Sequence, residues 1–499
     1  MNRAHACTAG AFALAAAYYL FAGAGIGQGA LDSDTLAMVV AWRTLIRGMV
    51  VESWQMAVPK LLPSALDGSL YLWLGLDAVV ARAIFTAAAL IAAASAFGGR
   101  AHGLPAGLIA GLFLLADRTT LALTSGGNSA VLFALCLVLG GHALLEWPRK
   151  RFAGMAFGAL AIGALARQEG LLFLGLAVAA AAWGRWREGW RRAAAVALAG
   201  AALGAAVAIA DDAFVSRLTG SDQTSRSILL ANMKVFAAAG QAADGAGGEQ
   251  RMGAVPALLA RLLRPWPLYL ILCSLGLAGL WRRSARAALI SGAMFCLPVL
   301  YCWALRVAGI AVFDRYLYPS LIAAHLLAAV AYVFLWNALS RRVGGPAAFA
   351  ARAALVLAAA GAWGVAARDS YFLRDGYLLR EAAARREFRE ALSRIPDRLG
   401  TEGRILVSAR YHAYAALSLG VEADRIAHDE TVYAATDAGP SVAPFDYLLL
   451  ERDSLLFRAL PAIECRGPAC TLQSAGQTFE MAGSNPGSRF RLLAKRDSL

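Results

Sequence analysis

The sequence predicts an α-helical polytopic membrane protein with about eleven transmembrane helices and a small C-terminal α/β soluble domain, and three observations predict it. Hydrophobic residues fill 59% of the 499 positions and charged residues only 16%, with a mean hydropathy of +0.56; a soluble chain carries about 25% charge. Apolar runs recur along the chain, several of them reaching the ~20 residues needed to cross ~30 Å of hydrocarbon. The basic residues behind the net charge of +14 stand in short clusters between those runs. Membrane topology imposes that distribution, and it argues against nucleic acid as a partner.

Each element follows from its run. The apolar segments cover 7–29, 70–97, 103–117, 125–146, 152–166, 170–184, 193–210, 267–281, 287–305, 316–339 and 347–367. The first is longer than the apolar core of a secretory signal and is read as a retained helix. With the N-terminus in the cytoplasm, the inner turns hold Arg100; Arg149, Lys150 and Arg151; Arg185, Arg187, Arg191 and Arg192; Arg282, Arg283 and Arg286; and Arg341 and Arg342. Every inner turn is thus short and basic. The long connections, 30–69 and 211–266, fall outside, as do the turns at Asp117, at Gln168 and Glu169, and at 306–315. Residues 1–367 therefore form a transmembrane domain with two outer loops, and 368–499 an external soluble domain.

The outer segments carry structure of their own. Residues 42–62 combine Trp and Arg in the manner of a helix lying in the membrane interface. Residues 220–254 are rich in Gly, Ala and Gln and read as a loop. In the tail, alternating charges over 377–394 predict a helix, and 404–408 and Tyr447–Glu451 predict strands. Five cysteines (Cys7, Cys136, Cys273, Cys296, Cys302) lie in or beside apolar segments and serve as small hydrophobes. Cys465 and Cys470 can close a disulfide if the tail lies outside the cytosol. No second ligand pair stands near them, which argues against zinc. Heavy Ala and Arg usage points to a high-GC bacterium, hence to the bacterial inner (plasma) membrane with a periplasmic tail.

Four outer-face constellations are candidates for chemistry. Leu31-Asp32-Ser33-Asp34 follows the first helix directly; two carboxylates at that spacing suit a general base or a pair of metal ligands, or equally a helix cap. Pro59-Lys60-Leu61-Leu62-Pro63 brackets one ammonium between prolines, where it can meet a phosphate or snorkel to water. Arg167-Gln168-Glu169-Gly170 places ionisable groups beside hydrocarbon, so they need partners or a polar cavity. Asp314-Arg315-Tyr316-Leu317-Tyr318-Pro319 offers a guanidinium for phosphate oxygens and tyrosines at headgroup level. Ser125 reads as a helix cap, Asp77 and Arg82 as pairing with neighbours, and His325 as a hydrogen-bonded packing residue rather than a ligand. Neither a phosphate-cradling Gly-rich loop nor a His-Glu-x-x-His motif occurs.

Together these four motifs resemble the GT-C class, integral-membrane glycosyltransferases that use polyprenyl-phosphate-linked sugars and include the protein mannosyltransferase and aminoarabinose transferase families. The resemblance covers about residues 7–340. Gln168 departs from the Arg-Pro-Glu-Gly form, and no further acidic residue follows the Asp-x-Asp pair. The resemblance implies transfer of a sugar from a polyprenyl-phosphate-linked donor to an acceptor hydroxyl on a lipid, glycan or protein at the outer face, with inversion. It implies Asp34, or else Asp32, as the base. Lys60 and Arg315 would bind the donor phosphate, with Arg167, Glu169 and Tyr316 as further substrate-binding residues. A divalent cation (Mg or Mn) on Asp32 and Asp34 is left open, since cationic side chains can make one unnecessary for a monophosphate donor; no other cofactor is expected. A transporter or flippase, or an O-antigen-type ligase for lipid-linked saccharides, is the alternative. Transport would want charge at the bilayer midplane, whereas these charges gather at one face. The mechanism expects the acidic and cationic groups to meet in one outer cavity.

Overall fold

The structure, a computed structural model, describes residues 3–23, 31–51, 59–146, 150–224, 266–307, 314–342, 345–395 and most of 403–496, with isolated positions elsewhere. The chain packs as two compact units, each assembled from separate stretches: Met1–Gly27, Asp77–Ile209 and Gly248–Leu378 make the first, and Gln28–Leu76, Ala210–Gly247 and Leu379–Leu499 the second. The sequence draws one boundary at 367/368; packing instead gathers the first outer segment with the tail.

The first unit is a helical bundle. It contains α1 (Arg3–Gly23), most of α4 (Leu76–His102), α5 (Leu104–Ala116), α6 (Arg118–Ser125), α7 (Ser129–Leu145), α8 (Lys150–Ala166), α9 (Gly170–Trp186) and most of α10 (Trp190–Thr219). It continues with α11 (Trp266–Arg283), α12 (Ala285–Val307), α13 (Tyr318–Arg342) and α14 (Gly345–Phe372). Among the described residues the expected apolar segments fall on these helices, except that 70–74 of the second belongs to the preceding helix, which ends at Leu74. Among the described residues, five helices are long and apolar enough to cross a membrane, or six if α5 and α6, bent by 60°, count as one span. Thr8–Phe21, Ser129–Leu145, Gly154–Ala166 and Gly170–Trp186 are shorter apolar helices.

Small residues let these helices approach closely. A Cβ at Gly276 on α11 would run into the backbone of Leu327 on α13, and one at Gly107 on α5 into that of Ser95 on α4. Large apolar side chains such as Trp183, Trp186, Leu198 and Leu357 point outward, as lipid rather than water requires. Trp183, Trp186 and Trp190 flank the basic turn of Arg185, Arg187, Arg191 and Arg192, the pairing of indole and cation found at headgroup level.

In the second unit, α2 (Ser33–Ile46) and α3 (Leu61–Leu74) form a closely packed pair. Gly68 is required there, because any Cβ would strike the Trp42 ring. The interfacial helix expected over 42–62 is not continuous: α2 ends at Ile46, Gly48 turns with φ +68°, and α3 starts only at Leu61. Residues 52–58 and most of the 220–254 loop lie outside the described residues.

The tail begins with α15 (Leu379–Leu392) on the predicted charged stretch, followed by α16 (His412–Leu419) and seven strands. The strands are β1 (Ile405–Val407), β2 (Ile426–His428), β3 (Tyr447–Glu451), β4 (Glu464–Arg466), β5 (Ala469–Ser474), β6 (Gln477–Met481) and β7 (Phe490–Lys495). They form one sheet in the order β2-β1-β3-β7-β6-β5-β4. β1 runs parallel to both neighbours, with α16 as the crossover to β2, and the remaining pairs are antiparallel. Gly420 closes α16 in the left-handed region at φ +66°. Leu406, Leu448, Leu450, Leu472, Phe479 and Leu493 build the core. The β4–β5 register sets Cys465 opposite Cys470. A small α/β domain is what the tail sequence predicts, and the tail has that fold.

Candidate active site

The predicted site residues fall into two groups, one per unit. Asp32, Asp34 and Lys60 belong to the second unit; Arg167, Glu169, Arg315 and Tyr316 belong to the first.

In the second unit, Asp32 is extended (φ −77°, ψ 166°) and starts α2: its Oδ1 accepts from the Thr35 amide at 2.7 Å. This capping bond satisfies one of the orphan amides of the helix start. Asp34 sits within the first turn, where the helix dipole favours a carboxylate. Leu31 and Leu36 are buried on either side and hold the turn against its unit.

Lys60 is extended, as its flanking prolines predict, and precedes the first residue of α3. Its Nζ donates to Asp211 Oδ2 at 2.8 Å, and both side chains are about one-tenth exposed. Asp211 Oδ1 accepts from the Leu61 amide at 3.1 Å, so one carboxylate both neutralises Lys60 and caps α3. The sequence ends the seventh apolar segment at 210 and assigns 211–266 to an outer connection. Instead α10 continues to Thr219, since Asp211 has a buried cationic partner and carries no unpaired charge. Asp211 is a residue of the candidate site that sequence reasoning missed. Its signal was an acidic pair inside an otherwise helical pattern.

Arg43, on α2, is also buried; its Nη2 donates to the carbonyls of Ala416 at 3.1 Å and Val421 at 2.7 Å. The outer segment is thereby tied to the end of α16 in the tail.

In the first unit, two motifs 150 residues apart in sequence come together. Arg167 Nη2 donates to Glu169 Oε1 at 2.8 Å, both side chains being buried. The Arg167 guanidinium stands 5.0 Å and that of Arg315 5.9 Å from the centre of the Tyr316 ring. Two cations on one ring make a centre suited to an anion. Gly170 permits the tight turn, because a Cβ would press on the backbone of Gly163 and Ala164.

A second buried polar cluster was not anticipated. Asp117 starts α6 by accepting from the Thr120 amide at 2.6 Å through Oδ2. Its Oδ1 lies 3.6 Å from His325 Nε2, and the Tyr269 hydroxyl lies 3.1 Å from His325 Nδ1. The Tyr318 hydroxyl donates to Thr120 Oγ1 at 3.1 Å. His325 is thus buried and hydrogen-bonded, in keeping with its reading as a packing residue. Asn128, rather than Ser125, caps α7: its Oδ1 accepts from the Ala130 amide at 2.9 Å. Gly127, at φ +70°, turns the chain into that cap. Among the described residues, no group of three or more His, Cys, Asp or Glu is placed to hold a metal ion.

The structure resembles that of ArnT from Cupriavidus metallidurans in the apo state, with a TM-score of 0.54 over 99% of this chain and 98% of that one at 14% identity. The fold is the GT-C fold. It is shared with the Archaeoglobus fulgidus oligosaccharyltransferase in the apo form, at TM-score 0.55 and 10% identity over 89% of this chain and 69% of that one. The archaeal oligosaccharyltransferase AglB from Archaeoglobus fulgidus, in complex with an inhibitory peptide and a dolichol-phosphate, superposes at TM-score 0.51 and 10% identity, again over 89% and 69%. No protein-family model and no curated protein matches the chain. The GT-C resemblance read from short motifs thus holds at the level of fold, and in this chain the GT-C fold includes the tail.

Proposed function

We propose that this GT-C-fold protein is a glycosyltransferase that moves a sugar from a polyprenyl-phosphate-linked donor to an acceptor hydroxyl on the outer face of the membrane, with inversion. The correspondence with ArnT over 99% of this chain carries the reading, and the AglB complex with a dolichol-phosphate agrees with a polyprenyl-linked donor.

In this reading Asp34 accepts the proton of the acceptor hydroxyl. The freed oxygen attacks the anomeric carbon through an oxocarbenium-like transition state, and the bond to phosphate breaks with its electron pair leaving on the phosphate. Asp32, committed to Thr35, fixes where α2 begins and so where Asp34 stands. Lys60, paired with Asp211, anchors the start of α3, and its ammonium would serve the leaving phosphate only by sharing its N–H groups between Asp211 and the phosphate. Arg315 is proposed to bind phosphate oxygens, with Arg167, Glu169 and Tyr316 completing its surroundings. The acidic pair is the position for a divalent cation if one is used, and no step here depends on one. The protein is placed in the bacterial inner membrane with the tail in the periplasm.

The test is sugar transfer by the purified protein from a polyprenyl-phosphate donor, comparing wild type with Asp34→Asn, Asp32→Asn and Lys60→Ala. If both aspartate variants melt like wild type and turn over at its rate, the mechanism is wrong. A reporter fused after residue 370 checks the topology, and cytoplasmic reporter activity would refute it.

A further inference from the structure

One buried cation in the second unit is not accounted for by the fold. Arg385 lies on the inward face of α15 with Ala382, Phe388 and Leu392, and is only 5% exposed. Its neighbours are aromatic: the guanidinium is 5.9 Å from the Tyr414 ring, and Phe388 stacks on Tyr411 at 4.7 Å and meets Phe490 at 5.3 Å. A charge in such surroundings is costly unless it is paired. Yet Nε and Nη1 of Arg385 are buried and have no hydrogen-bond partner. The carboxylate on its own helix, Glu381, is instead engaged by Arg410 Nη1 at 2.8 Å.

The charge that acts most on Arg385 comes from Asp32. Burial pushes the guanidinium below its ordinary pKa, and the Asp32 carboxylate is the foremost influence holding it up. Asp32 in turn gives Oδ1 to the cap of α2. A guanidinium with unclaimed donors therefore stands within electrostatic reach of the Asp32 carboxylate, and both residues belong to one compact unit.

We infer that Arg385 is an oxyanion ligand supplied by the tail, which binds a phosphoryl group beside Asp32. A planar guanidinium with free N–H groups matches tetrahedral phosphate oxygens better than a lysine would. The inference rests on the transferase reading for the identity of the anion, since a polyprenyl-phosphate donor brings a phosphate to this site. A phosphorylated acceptor would bring the same chemistry. It also gives the tail a role that neither the motifs nor the comparisons assign.

Binding, not turnover, tests it, so that failure here is distinct from failure of the transferase assignment. Inorganic phosphate and a detergent-solubilised polyprenyl monophosphate are titrated into the full-length protein by calorimetry. Arg385→Gln is expected to weaken phosphate binding about 10- to 100-fold, as loss of a charged hydrogen-bonding partner does. Arg385→Lys should lie between wild type and Arg385→Gln. Loss with both probes assigns the anion to the donor; loss with inorganic phosphate alone assigns it to a phosphorylated acceptor. Unchanged affinity for both probes, or no phosphate binding by wild type, overturns the inference. Arg385→Met guards against misfolding: it removes an unsatisfied buried charge, so the ligand-free protein should melt no lower than wild type while phosphate binding is lost. A lower melting temperature with unchanged phosphate affinity would mark Arg385 as a structural residue and overturn the proposal.

Discussion

Removing Asp211 is the sharpest perturbation of the second unit. Its carboxylate makes two contacts, with Lys60 Nζ at 2.8 Å and the Leu61 amide at 3.1 Å. Both charges are about nine-tenths buried. Asp211→Ala therefore leaves an uncompensated ammonium, which costs about 3–5 kcal/mol, and an uncapped helix start, which costs about 1 kcal/mol. Asp211→Asn keeps an oxygen for the Leu61 amide and should lose roughly the first of these only. Lys60→Met combined with Asp211→Leu removes both charges together, and should recover all but about 1–2 kcal/mol, the remainder being the lost cap. The coupling between the two positions should then be at least about 3 kcal/mol. The measurement is thermal melting of the detergent-solubilised protein, with a double-mutant cycle at the two positions. Additive effects of the two single substitutions would refute the argument that this pair holds α3 in place. Turnover gives an independent readout: the double variant should regain stability without regaining activity, because Lys60 then contributes no charge.

Asp34→Asn should lower turnover about 10²- to 10⁴-fold with an unchanged melting temperature, whereas Asp32→Ala should cost about 1 kcal/mol of stability as a lost helix cap; equal effects of both on melting would contradict the division of roles. His412 is buried, its Nε2 lies 2.8 Å from the Ile426 carbonyl, and its ring meets that of His428 at 5.4 Å. Burial and the neighbouring His428 push its pKa down to about 3. The unfolded imidazole binds its proton near pH 6.5, so the tail should hold full stability above that pH and lose about 1.4 kcal/mol per pH unit between pH 6.5 and 3. Melting of wild type and His412→Gln across that range tests this, and an equal slope in both would dismiss His412 as the cause. Gly68→Ala should destabilise the α2–α3 pair by about 1–3 kcal/mol by driving a methyl group into Trp42; a melting temperature equal to wild type would show that the two helices can separate at no cost.

What could be read from the sequence was whatever a periodic or compositional signal carries. Apolar runs located the helices, basic turns ordered them, and the charged stretch at 377–394 became α15 at Leu379–Leu392. Arg167 was chosen for charge beside hydrocarbon and Arg315 as a guanidinium for phosphate oxygens, and the fold brings both to the Tyr316 ring. The failures came where one side chain depends on a partner distant in sequence. Asp211 fell outside the seventh apolar segment, because Lys60, 151 positions earlier, supplies the charge that lets the helix continue past 210. His325 was read as a hydrogen-bonded packing residue, but its neighbours Asp117 and Tyr269 come from other helices and could not be named. Arg43 gave no sign that its guanidinium serves carbonyls at Ala416 and Val421, more than 370 residues away.

Arg43 and Arg385 make an instructive contrast. Both are buried guanidinium groups of the second unit, at 4% and 5% exposure. Arg43 uses one nitrogen, Nη2, to bind two carbonyls at the end of a helix, where the dipole favours a cation. Arg385 finds aromatic rings and a distant carboxylate, but nothing to accept from Nε or Nη1. Burial alone cannot separate a structural cation from a binding one. The number of donors already committed inside the fold can. By that measure Arg43 fastens α2 to the tail, so Asp32 and Asp34 take their position partly from residues near 420. Arg385, whose charge is influenced by Asp32, is the group to which the proposed anion would supply hydrogen-bond acceptors.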